Sequence, residues 1–183
     1  PDLRAGRDEP RLAGRVVRTV KLKPVPEPPA EFAFVERAQR AVPLVPGDED
    51  DCCARLLRRL DLPSRDVART WLTFLRALEL AAETPSGFRR TDVEPTVAGC
   101  RAALLDRVFA AAAVHDALDA DDPRTADDVF AAVRETVPAW ERHKHATRWE
   151  SVWHDRVADL LGWLTLLAAA ERVADDPPRY VRR

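Results

Sequence analysis

The stretch Leu62-Pro63-Ser64-Arg65-Asp66-Val67-Ala68-Arg69-Thr70-Trp71-Leu72-Thr73-Phe74-Leu75-Arg76-Ala77-Leu78-Glu79-Leu80 decides the fold, together with Ser86-Gly87-Phe88-Arg89-Arg90 just beyond it. Leu62-Pro63-Ser64 is a tight connection with Ser64 placed to cap a helix, and the spacing predicts that helix from Arg65 to about Ala82. On a helical wheel Val67, Trp71, Leu72, Phe74, Leu75 and Leu78 gather into one arc, the core face. Arg65, Arg69 and Arg76 lie opposite, flanked by Thr73 and Asp66, and form a basic stripe turned outward. Pro85 is expected to stop the helix, and Ser86-Gly87 to turn the chain into a short strand.

Upstream, Glu31 to about Val42 is amphipathic, and Asp48-Glu49-Asp50-Asp51 opens a second helix to Leu60, with acids suited to the positive helix end. Pro43, Pro46 and Gly47 separate the two. Residues 1–30 form a basic, Pro-rich arm that Pro24-Val25-Pro26-Glu27-Pro28-Pro29 closes with extended geometry. Within the arm, Val16 to Leu22 alternates well enough for a short strand.

Three helices, the last two joined by a tight turn, and then a hairpin: this order resembles the winged helix-turn-helix family, of an archaeal or GC-rich prokaryotic type. The resemblance rests on Leu62 to Leu80 plus the Ser86 to Arg90 wing. It implies a third helix in the DNA major groove and a wing on the backbone beside it. Arg65, Asp66, Arg69, Thr70 and Thr73 would then face base edges, and Arg76, Arg89 and Arg90 phosphates. Arginine suits the role because its planar fork grips a guanine edge or a phosphate with two hydrogen bonds. The plainer alternative is a solvated helix face with paired charges. Arg55, Arg58 and Arg59 on the preceding helix could touch phosphates, but the four acids at 48–51 would oppose DNA if they faced it.

At an offset of 92 residues the chain matches itself: over 71–91 against 163–183, nine of 21 positions are identical, beginning with Trp71-Leu72-Thr73 and Trp163-Leu164-Thr165. A duplication is therefore expected. Its second copy would carry helices over about Gly99 to Leu118, Thr125 to Arg142 and Arg148 to Val173, with Thr125 and Asp128 as a capping box and Gly162 bending the last. The same offset turns Arg65, Arg69 and Arg76 into Val157, Leu161 and Ala168, so the stripe becomes apolar. Trp149, Trp153, Val157 and Leu161 are thus expected at an interface, with the first copy or with a second chain in a homodimer. The expected fold class is mainly α with small β-hairpins: two tandem winged-helix units, 31–95 and 96–183, after an arm at 1–30.

The 183 residues are 46% hydrophobic and 33% charged, an ordinary globular composition. No run of about 18 uncharged apolar residues exists, and Pro1-Asp2-Leu3-Arg4 opens no secretory segment, so a cytoplasmic protein that engages no membrane is expected, its initiator methionine removed before Pro1. Net charge is −2, yet residues 1–29 hold seven basic and four acidic groups. Nucleic-acid contact by the whole body is therefore not expected; it must be local. Arg4, Arg7, Arg11, Arg15, Arg18, Lys21 and Lys23 are spaced to follow a groove of DNA or RNA, or equally to solubilise a tail.

Catalysis has no motif: no phosphate-cradling glycines, no nucleophile elbow, no paired carboxylates beside a histidine, so the chain is expected not to be an enzyme and to need no cofactor. His143, His145 and His154 match no metal spacing, and no metal is expected. Trp140, Trp149, Trp153 and Trp163 read as a stacking platform or, more plainly, as core or dimer packing. Cys52-Cys53 beside arginines suggests a lowered thiol pKa against two inert thiols. The function that follows is a DNA-binding transcriptional regulator acting on double-stranded DNA. The alternative is a non-enzymatic scaffold or an RNA- or ribosome-associated factor tethered by its arm, chiefly Arg11, Arg15, Arg18, Lys21 and Lys23.

Overall fold

The computed structural model describes residues 25–183. The strand expected over Val16 to Leu22 and the seven arm cations lie outside the described residues. The fold is mostly helical, with two small antiparallel strand pairs.

Helix α1 spans Ala33–Ala41 and α2 spans Glu49–Leu60. The Asp48 carboxylate accepts from the Asp51 N–H at 2.7 Å, and three acids fill the first turn of α2, where the exposed amides and the helix dipole favour negative charge. Ser64 accepts from the Val67 N–H at 3.2 Å and starts α3, Arg65–Ala77. Trp71, Leu72, Phe74, Leu75 and Leu78 are buried, as the wheel requires, while Val67 is only partly so. Strands β1, Ala81–Thr84, and β2, Gly87–Arg90, pair with Ala82 opposite Arg89. Gly47 adds a third short edge, exchanging hydrogen bonds of 3.0 and 2.7 Å with Phe88.

Helix α3 ends five residues earlier than its periodicity predicts. Glu79 takes the left-handed conformation at φ 64°, the Glu79 N–H bonds the Arg76 carbonyl, and the Leu80 N–H bonds the Leu75 carbonyl at 2.8 Å. These two bonds close the helix as a Schellman motif, a stop that normally uses glycine. Pro85 lies in the turn of the hairpin and stops no helix.

The expected long helices of the second half are also subdivided. Helix α4 is Val97–Arg107 and α5 is Ala111–Asp116, separated where Ala110 takes φ 65°. Helix α6, Ala126–Val133, opens on the expected capping box of Thr125 and Asp128. It passes through a single 3-10 turn, and Val137-Pro138 breaks it from α7, Ala139–His145. Helix α8 is Trp149–Leu166, and β3, Ala170–Asp175, pairs with β4, Pro178–Arg182. It ends as α3 does, with Ala168 left-handed and the Ala169 N–H on the Leu164 carbonyl at 2.8 Å. Gly162 does not interrupt it; its missing side chain leaves room for Pro28, which a Cβ there would strike.

The order of helices, bridging residue and hairpin thus occurs twice, but not at one constant spacing. The caps Asp48 and Thr125, each following a bridging residue, stand 77 apart. The helix ends Leu78 and Leu167 stand 89 apart. Only the last strands, with Phe88 and Tyr180 on the bridging residues, keep the offset of 92. Three extra residues in the second hairpin, with an irregularity between Arg172 and Ala174, make up the difference. Aligned by its helix end, α8 therefore sets Trp163 against Phe74, not against Trp71. The partners of Arg65, Arg69, Thr73 and Arg76 become His154, Ala158, Gly162 and Thr165, which corrects the expectation that the stripe turns apolar. A three-residue slip rotates a helix by only about 60°, so core residues still fall near core residues and the error hides in the sequence.

Gly87 sits at φ 118°, and a Cβ there would collide with the Gly47 backbone. Gly87→Ala is expected to lower stability by about 2 kcal/mol or more, since both the backbone conformation and the bridge to Gly47 resist it; urea unfolding measures this.

Candidate nucleic-acid interface

The outward stripe predicted on α3 forms, but its cations already have partners. Arg65 donates to the Asp50 carbonyl at 3.3 Å and stands 3.9 Å from its carboxylate. Arg69 donates to Glu49 at 2.6 Å and to Asp66 at 3.2 Å. Arg76 pairs with Glu83 of β1 at 2.5 Å and lies over the Phe88 ring. The hydrogen bond from Glu49 pushes the Arg69 pKa further up, so this guanidinium is permanently charged. Thr70 donates its hydroxyl to the Asp66 carbonyl at 2.9 Å, and Thr73 is partly buried beside it.

The acids of the first turn of α2 therefore border the stripe. Exposed ion pairs of this kind are worth about 0–1 kcal/mol each, so a phosphate can exchange for a carboxylate at small cost. Arg89 and Arg90 in β2 are half-buried and have no acid partner among the described residues. Phe88 points into the core, so Arg89 takes the outer face of the hairpin and Arg90 the inner one. Arg58 and Arg59 in the last turn of α2 are exposed and likewise unpaired among the described residues, at the opposite end of the helix from its acids.

The corresponding face of α8 is closed. Pro26 is buried, its carbonyl accepts from the Trp163 indole N–H at 2.7 Å, and Pro28 fills the space over Gly162. The proline segment thus crosses α8 at the position Thr73 holds on α3. Trp153, Val157 and Leu161, expected at an interface, are 1%, 0% and 0% exposed inside this chain, so their contacts are intramolecular; Trp149 is partly buried between Arg134 and Arg142.

The histidines do not converge. His143 contacts the Ala139 carbonyl, His145 stands 3.5 Å from Glu141, and His154 stands 2.8 Å from Asp127 on α6. Among the described residues no group of three or more His, Cys, Asp or Glu is placed to hold a metal. Cys52 and Cys53 are buried, and burial raises both thiol pKa values, which fits two inert thiols and not an activated one. Among the described residues no helix is long and apolar enough to cross a membrane.

A helical body whose third helix carries an outward polar stripe and runs into a two-stranded hairpin, edged by a residue from before the second helix, defines a winged-helix protein. Over residues 20–182 the chain matches the family model of the halobacterial double winged helix domain, and it belongs to that family. No curated protein and no solved structure matches it. Winged-helix domains are in general nucleic-acid-binding modules without catalytic activity.

Beside the proline segment, Asp159 on α8 has its pKa pushed up to about 6, first by burial and then by the charges of Glu27 and Asp155. A carboxyl raised in the folded state favours folding below its unfolded value of about 3.9, and that contribution is lost as pH rises through 6. Asp159→Asn is therefore expected to stabilise the protein at pH 7.5, with the gain shrinking toward zero near pH 4; urea unfolding across that range reads it directly.

Proposed function

We propose that the chain is a DNA-binding transcriptional regulator made of two tandem winged-helix units, residues 31–95 and 96–183, and that the first unit reads duplex DNA. Arg65, Asp66, Arg69, Thr70 and Thr73 face base edges, while Arg76, Arg89 and Arg90 hold phosphates. The observation that carries this reading is the difference between the two equivalent helix faces. The face of α3 is open and presents Arg65, Arg69 and Arg76, each paired with an exposed acid, while that of α8 is built of small residues and covered by Pro28. The second unit then positions the first, and bound protein acts by occupying or marking a promoter.

Binding proceeds by exchange. Asp50 and Glu49 hold Arg65 and Arg69 in place until phosphates or guanine edges take them over, so the acids of α2 compete with DNA. A second reading, an RNA- or ribosome-associated factor tethered by residues 1–23, is favoured by one fact: the arm carries seven cations against few acids, whereas Arg65, Arg69 and Arg76 are all paired.

Binding of duplex DNA at several salt concentrations separates the two. Arg65→Ala with Arg69→Ala is expected to weaken binding roughly 30-fold or more and to flatten its salt slope. Glu49→Gln with Asp50→Asn should strengthen it, because two competing anions are gone. Unchanged affinity and slope in the arginine variant would falsify the helix-in-groove model, and loss of RNA association on deleting residues 1–23, with duplex binding intact, would favour the tether.

A further inference from the structure

Between the second and third helices of the second half the chain carries 12 more residues than in the first, since the helix starts stand 77 apart and the helix ends 89 apart. That insertion holds α7 and leads into α8. We propose that it is a second nucleic-acid site, one that takes a single strand, with an unpaired base stacked on Trp140 and the neighbouring phosphates held by Lys144 and Arg148. It is independent of any contact between α3 and duplex DNA.

Of the five tryptophans, Trp71, Trp153 and Trp163 are buried and Trp149 is partly so, but Trp140 is 55% exposed. It lies on the same side of α7 as Lys144, one turn on. From Arg142 to Trp149 the sequence Arg-His-Lys-His-Ala-Thr-Arg-Trp contains no acid, and Lys144 is the sole lysine beyond the arm. Lys144 and Arg148 are exposed, and neither has an acid partner among the described residues, in contrast to the arginines of α3. The nearby acids are engaged elsewhere: Glu135 with Arg142, Glu150 with Arg134, and Glu141 with Arg156 and His145.

The platform is held from beneath. Glu141 is fully buried and receives Arg156 at 2.7 Å, and Arg156 lies over the Trp153 ring, which fixes α7 against α8. Arg142 donates to the carbonyls of Val137 and Arg134, both at 3.1 Å, and stacks on Trp149. An exposed indole one helical turn from an unpaired lysine, with the unpaired Arg148 four residues further along the chain, matches the chemistry of a nucleic-acid strand, a π-face next to a negative backbone. The strand must be single, because bases in a duplex are already stacked on their neighbours and offer the indole no free face.

The test uses the full chain and fluorescein-labelled dT15 and rU15, with a mixed-sequence duplex of the same length, followed by anisotropy. Trp140→Ala is expected to weaken single-strand binding about tenfold or more, while Trp140→Phe retains most of it. Lys144→Gln with Arg148→Gln should reduce the salt slope by about 1.4. The dT15 and rU15 arms report whether DNA or RNA is preferred. Arg65→Ala with Arg69→Ala should leave single-strand binding unchanged even if duplex binding is lost, so this site and the α3 reading fail separately. The proposal is overturned if neither oligonucleotide binds, if Trp140→Ala binds as the parent does, if the duplex shows the same dependence on Trp140, or if Trp140→Ala instead abolishes self-association in sedimentation. All these substitutions are at exposed positions, and unchanged circular dichroism confirms that the fold is intact.

Discussion

The indole of Trp163 is where the separate parts of the chain meet. Its ring lies 4.5 Å from Phe74 and 5.8 Å from Trp71, and its N–H donates to the carbonyl of Pro26. Each aromatic pair of this kind adds about 0.5–1.5 kcal/mol beyond the area it buries, and the buried N–H keeps its hydrogen bond. Phe74 and Trp163 hold equivalent places on α3 and α8, so the two helices meet through matching side chains. Helix α4 ties their ends: Arg101 donates to the Ala168 carbonyl at 3.1 Å, and Arg107 pairs with Glu79. With its core face locked against α8, α3 can only turn Arg65, Arg69 and Arg76 outward. The candidate interface is in this sense a consequence of the packing behind it.

What could be seen in the sequence was whatever local chemistry controls. Ser64, Asp48 and the Thr125–Asp128 pair cap helices with their own side chains, so these features follow from residue identity, and the hairpin was legible too, although its turn is Pro85-Ser86 and Gly87 already opens β2. The helix ends were hidden because Glu79 and Ala168 occupy left-handed positions that glycine usually marks. Nothing in their chemistry announces the stop; Leu80 and Ala169 enforce it by folding back onto Leu75 and Leu164. The same blindness displaced the repeat by three residues, and with it the roles of Val157 and Leu161, which fill core positions equivalent to Ala68 and Leu72. The stripe on α3 was legible as a face. Its pairing with Glu49 and Asp50 was not, since that depends on the angle at which α2 meets α3.

Those pairings bear on how such a surface works. With Glu49, Asp50, Asp66 and Glu83 beside Arg65, Arg69 and Arg76, the face of α3 carries no excess of positive charge. Long-range attraction to a polyanion is weak there, and indiscriminate binding along a phosphate backbone is correspondingly poor. On the proposed reading, affinity would come from close contacts that replace each carboxylate in its own geometry. An arginine held by an acid is also already restricted in its rotamers, which lowers the entropy lost when another anion takes the place of that acid. Weaker attraction and better preorganisation together favour selectivity over strength.

The closed face of α8 shows how two similarly terminated helices come to present different surfaces. At the places where α3 has Arg69, Thr73 and Arg76, α8 has Ala158, Gly162 and Thr165, and a helix with so little side chain on one side cannot reach a base edge across a groove. What small residues permit is close approach by another backbone, which is what the proline segment makes. Proline is suited to that task, because its ring packs as an apolar body and its extended chain presents carbonyls without losing backbone donors. The cover also has a geometric effect. It fixes the chain at Pro26 and Pro28 on the surface of α8, beside the junction with α3. The small residues along α8 and the docked proline segment are therefore two sides of a single packing arrangement.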